Sequence, residues 1–221
     1  MNKEKLFTEE ELKELGQQRP ELIQTNIDAG EKEKAKKLTR QMYREFLSMH
    51  DIYRDWIAAL LSFIGRQYGE EAAGKALEES FDLLLQPLGL LYAGQDPRRR
   101  AAMVAAGIRG HLHNFEIEED EEKFTFSMKP CGSGGRLVME GKYGPPYNFL
   151  KIKKAQQMTF QQPDFPVYCS HCFFQNVAPI KTTGRPVAIV VPPHDFAEEP
   201  CRTYLYKDPA YCPEDYKEFK K

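Results

Sequence analysis

After Gly110 the spacing of apolar residues changes from about 3.6 to about 2, dividing the chain into a helical half and a β-rich half. Before the switch, Thr8-Glu-Glu-Glu11 has the form of a capping box. Leu12, Leu15, Leu22, Ile23 and Ile27 mark short helices interrupted by Gly16, Pro20 and Gly30. From Glu31, Leu38, Met42, Phe46, Met49, Tyr53, Trp56, Leu60 and Phe63 recur three or four apart. They mark a long helix ending between Gly65 and Gly69. A further helix is expected over Glu70–Leu85, stopped by Gln86-Pro87. Another starts with Asp96 as N-cap and Pro97 at its first position, and runs to Gly110.

After the switch, His111 to Glu118 alternates as a strand does, and so does Lys123 to Met128, with Glu119–Glu122 as a hairpin turn. Val187–Val191 and Arg202–Tyr206 are two more expected strands. Helices and strands are segregated, which predicts an α+β fold. In it, a helical layer over about 8–110 packs on a C-terminal antiparallel sheet with cysteine-bearing loops. The chain of 221 residues reads as one domain. Its parts are a helical extension (1–35), the helical layer (36–110), a β-rich half (111–207) and a tail (208–221).

Lys and Arg number 31 against 33 Asp and Glu, a formal charge of −2. This balance argues against nucleic acid or an anionic membrane as partner. No apolar run reaches the roughly 18 residues that span a bilayer. The first residues lack the apolar core of an export signal. Five cysteines, an odd number, all lie in the second half. A cytoplasmic location is expected, where clustered cysteines serve metal or thiol chemistry more often than disulfides.

The candidate ligands follow from spacing. His111 and His113 are one residue apart, so a strand would place both rings on one face. Cys169-Ser-His-Cys172 can bring two thiolates to one ion from a single turn. Cys131 follows the strand paired with the histidine strand, and Cys201 stands at the start of a late strand. Zinc, or another transition metal such as iron, is the expected cofactor. A set of Cys131, Cys169, Cys172 and one histidine would be closed and structural. A set with both histidines and fewer cysteines would leave a position for water, hence catalysis. A redox dithiol and plain buried cysteines are the competing readings. In Cys131-Gly-Ser-Gly-Gly-Arg136, the backbone of Gly132, Ser133, Gly134 and Gly135 together with Arg136 could hold a substrate anion. The alternative is a tight connection with glycines at positive φ. Glu116 is the candidate base, although alternation turns it away from the histidines.

The segment starting at Trp56, WIAALLSFIGRQYGEEA, and the late strand EEPCRTYLYK resemble those of small bacterial α+β proteins described as aminothiazoline carboxylate hydrolase-like. More distantly they are similar to vinyl-reductase-like small-molecule-binding domains. The resemblance covers about 40–207. It implies helices against an antiparallel sheet and a small-molecule pocket near late cysteines, matched here by Cys169, Cys172 and Cys201. The histidine pair and the CGSGGR turn lie outside that pattern, so no catalytic residue is carried over. The expected activity is a metal-dependent hydrolase acting on a small molecule, with an anion as the candidate that the CGSGGR turn suggests. A ligand-sensing module with a structural zinc and a thiol redox protein are the alternatives. A homodimer through an exposed face of the long helix is a further expectation.

Overall fold

A computed structural model describes residues 6–213, so the end of the expected tail, 214–221, lies outside the described residues. The first helix, α1 (Glu9–Gly16), has the expected capping box. The Glu11 N–H donates to the Thr8 hydroxyl at 3.2 Å and the Thr8 N–H to the Glu11 carboxylate at 2.7 Å. The second helix, α2 (Arg19–Asp28), leads through Gly30 into α3 (Lys32–Tyr68). Two compact units meet inside α3, one ending at Asp51 and the other starting at Ile52. In the first unit Leu22, Ala35 and Leu38 are buried.

The second unit holds the rest of α3, then α4 (Glu70–Ala93) and α5 (Pro97–Arg109). Along α3 it buries Arg54, Ala58, Leu61 and Ser62, whereas Tyr53, Trp56, Leu60 and Phe63 stay at least half exposed. The periodic stripe that identifies the helix is therefore not its packed face. Small residues are what the packed face needs: Ser62 accepts the Leu150 N–H at 2.8 Å. A Cβ on Gly65 would overlap the Leu150 side chain. Instead of stopping before Pro87, α4 continues through it to Ala93. A proline inside a helix removes one hydrogen bond at a cost of about 3 kcal/mol. Burial beyond the proline offsets this, with Tyr92 in the core beside Val104, Phe126 and Leu205, and Gly89 close against Pro179.

The second half adds β1 (Glu116–Glu119), β2 (Lys123–Met128), α6 (Gly134–Met139), β3 (Lys151–Ile152), β4 (Phe165–Pro166), α7 (His171–Thr183), β5 (Ile189–Val191) and β6 (Cys201–Tyr206). The fold is α+β, mostly helical with a small antiparallel sheet. Its four strands run in the order β1-β2-β6-β5, every pair antiparallel, and β3 pairs separately with β4. On β6, Cys201, Thr203 and Leu205 point inward while Arg202, Tyr204 and Tyr206 face out. Phe126 and Leu205 are fully buried beneath α5 and the end of α4. Each such side chain contributes roughly 1.5–3 kcal/mol.

The histidine strand is the main correction. Gly110, His111 and Leu112 form a turn off the end of α5, with the His111 N–H on the Ile108 carbonyl and the Leu112 N–H on that of Arg109. Leu112 sits at φ 54°, which no strand residue adopts. The strand begins only at Glu116, and as the edge of the sheet all four of its residues are exposed, Ile117 included. No helix among the described residues is long and apolar enough to cross a membrane.

Candidate functional site

Register brings the cysteines together. Met128 at the end of β2 pairs with Cys201 at the start of β6, so Cys131 returns over that strand start. Cys131 packs against the cluster of Met128, Val190 and Cys201. Cys131 Sγ also accepts the Gly135 N–H at 2.9 Å, and the Ser133 N–H and hydroxyl add to the donors around it. The Cys201 thiol foremost, with those N–H groups, draws Cys131 down to about 6 against the cost of its burial. Cys201, beside Cys131 and itself buried, is pushed up.

The glycine turn works by contact. None of Gly132, Gly134 and Gly135 has positive φ. A Cβ on Gly132 would lie 2.6 Å from the His111 carbonyl oxygen, and one on Gly134 would lie 2.6 Å from Cys169 Sγ. The run thus lets the α5 turn, the Cys131 segment and the Cys169 segment touch. Arg136 is directed elsewhere, to the Glu140 carboxylate at 3.0 Å and towards the Gly132 carbonyl at 3.4 Å. It lines neither of the cavities described below.

Cys169 lies in a 3-10 turn, Val167–Ser170, and Cys172 in the first turn of α7. Burial pushes both thiols up, and charge on Cys131 adds to this. Between them, the Ser170 hydroxyl is buried without a hydrogen-bond partner among the described residues. His171 is not singled out by spacing, although it stands inside the Cys-Ser-His-Cys motif. Its Nδ1 is 2.6 Å from the Tyr168 carbonyl, which only accepts, so Nδ1 carries the proton. Nε2, left with its lone pair, is 3.6 Å from Cys172 Sγ. Burial lowers the His171 pKa and keeps the ring neutral.

Cys131, Cys169, Cys172 and Cys201 wall one cavity of about 70 Å³, together with His111 and His171. Of the remaining candidates, His113 is half-buried with its Cβ close against Gly132. It does not line the cavity, and Glu116 is exposed on the edge strand. Among the described residues, no three His, Cys, Asp or Glu side chains stand in an arrangement ready to hold a metal ion. The four thiols share a wall without being drawn onto one point. A second cavity, of about 270 Å³, lies next door. Ile108, His111, Gln175 and Thr203 line both. Its other walls come from α4, α5 and α7 and include Tyr92 and Gly107. No sequence pattern marks them, because they share a pocket only through the packing of three helices on β6.

Comparison with protein-family models, curated proteins and solved structures finds no match for the chain. The functional reading therefore rests on the two cavities.

Proposed function

We propose that the chain is a small-molecule enzyme whose cysteine cavity holds a thiolate-ligated zinc or iron ion, and that it hydrolyses its substrate with a water activated on that ion. The observation that carries the reading is the meeting of four cysteines, from three segments far apart in sequence, on the wall of one cavity. A single buried cysteine is an ordinary small hydrophobe. Four around one space can all ionise only if a cation supplies the opposite charge, and soft thiolates select zinc or iron. Each thiol has three staggered positions about its χ1 bond, and rotation among them is how Cys131, Cys169, Cys172 and Cys201 would converge to hold the ion. Three thiolates leave a coordination position for water, whereas four close the site. His111, which lines both cavities, would carry a proton between water and substrate.

Metal analysis of freshly purified protein, with Cys131→Ser and Cys172→Ser beside it, tests the proposal. About one equivalent of zinc or iron, lost in both variants, is expected; metal-free wild-type protein overturns it. The Cys131–Cys201 contact favours a second reading, a redox dithiol. That reading requires metal-free protein in which mild oxidation joins these two residues in a disulfide.

A homodimer belongs to the same proposal. Tyr53, Trp56, Leu60 and Phe63 are spaced three, four and three apart, the interval of a coiled-coil seam, and all are at least half exposed. A seam of this kind is complementary to a second copy of itself.

A further inference from the structure

We infer that the substrate is an uncharged, largely apolar small molecule, held in the 270 Å³ cavity with its reacting end at His111 and Thr203. The inference deepens the proposed function and rests on it for the chemistry, but not for the binding. Three observations carry it. First, the two cavities adjoin, with Ile108, His111, Gln175 and Thr203 lining both. A ligand in the larger one therefore ends at these four shared residues, whose other side lines the cysteine cavity. Second, no Asp, Glu, Lys or Arg lines either cavity. A carboxylate or phosphate placed in the larger cavity would give up hydration with no cationic side chain to replace it. The sequence-based expectation of an anionic substrate used the Gly132, Ser133, Gly134 and Gly135 backbone with Arg136; Arg136 is held by Glu140, and Ser133 and Gly134 line the cysteine cavity and not the larger one. Third, the cavity is slightly smaller than the roughly 300–1,000 Å³ of sites for drug-sized ligands. Its polar groups are few and gathered: Gln175, Thr203 and His111 at the cysteine end, with Tyr92 on the wall. They can orient one neutral polar function, such as an amide or ester, while the apolar remainder fills the helical end.

Gly107 makes the pocket testable without disturbing the fold. It lies on α5, lines the cavity, and a Cβ built on it meets nothing within 4 Å. Two fluorescent probes share one scaffold and differ in charge: neutral N-phenyl-1-naphthylamine and anionic 8-anilinonaphthalene-1-sulfonate. The neutral probe is expected to bind one-to-one and at least tenfold more tightly than the sulfonate. Gly107→Phe is expected to weaken it at least tenfold while leaving metal content and thermal unfolding unchanged. Equal or tighter binding of the sulfonate overturns the inference. So does unchanged binding of the neutral probe to Gly107→Phe. The Cys172→Ser variant separates this inference from the metal proposal, since the neutral probe should still bind there when metal is lost. Probe binding in wild-type protein without metal would sink the metal centre and leave the pocket. Metal without probe binding would do the reverse.

Discussion

Gly134 is in contact with Cys169 because it has no side chain. A methyl group there would sit 2.6 Å from Cys169 Sγ. Gly134→Ala should therefore destabilise the protein by about 1–3 kcal/mol, the usual cost of overpacking. It should also reduce metal content, because the thiol has to move; calorimetry and metal analysis read both effects. An alanine variant with wild-type stability would mean that the contact is loose. At the sheet edge, the Lys123 ammonium, with the N–H groups of Lys123 and Glu122, holds the Asp120 carboxyl down at about 2. A depressed carboxyl favours the fold above its unfolded-chain pKa, and that contribution is lost as pH falls from about 4 towards 2. NMR titration of Asp120 should show a midpoint near 2, moved up towards 4 in Lys123→Ala. At this scale much of the site is legible in the sequence. Cys131, Cys169, Cys172, Cys201 and His111 are marked by type and spacing, and the structure brings them to one cavity. Which glycines matter, and why, is not legible, since close approach depends on segments distant in the sequence, His111 for Gly132 and Cys169 for Gly134.

Among the elements, period and punctuation identify helix and strand, but not the packed face. The stripe Tyr53, Trp56, Leu60, Phe63 reports that α3 is a helix, yet the second unit packs on Arg54, Ala58, Leu61 and Ser62. The exposed stripe yields a prediction for assembly. Trp56, 61% exposed and the one tryptophan of the chain, should show blue-shifted, quencher-protected emission as concentration rises through the dimerisation range. Leu60→Glu should give a folded monomer by sedimentation, with red-shifted emission at all concentrations. A wild-type monomer with fully quenchable Trp56 at 100 μM, on the order of the high end for a stable association, would contradict the seam. The histidine segment errs for a related reason. Alternation in His111–Glu118 mimics a strand, but the end of α5 at Gly110 and the positive φ of Leu112 make its first part a turn. Pro87 misleads in the opposite sense, because tertiary packing holds α4 helical through it.

At the scale of the whole molecule, the switch of period predicts the α+β layout, and the layout places the chemistry. Helices α4, α5 and α7 and the sheet line the apolar pocket, while the segment after β2 and the starts of β6 and α7 carry thiols to the adjoining cavity, which shares Ile108, His111, Gln175 and Thr203 with it. Nothing in a linear pattern joins these walls, so the pocket is a product of tertiary structure alone. In the proposed function, thiols of the cysteine cavity hold one ion, three of them in the catalytic arrangement. X-ray absorption at the metal edge of freshly purified protein tests this directly. The predicted result is about one equivalent of zinc or iron with a sulfur-dominated coordination shell, near 2.3 Å for zinc. Protein without transition metal, or metal bound only by nitrogen and oxygen, would contradict it.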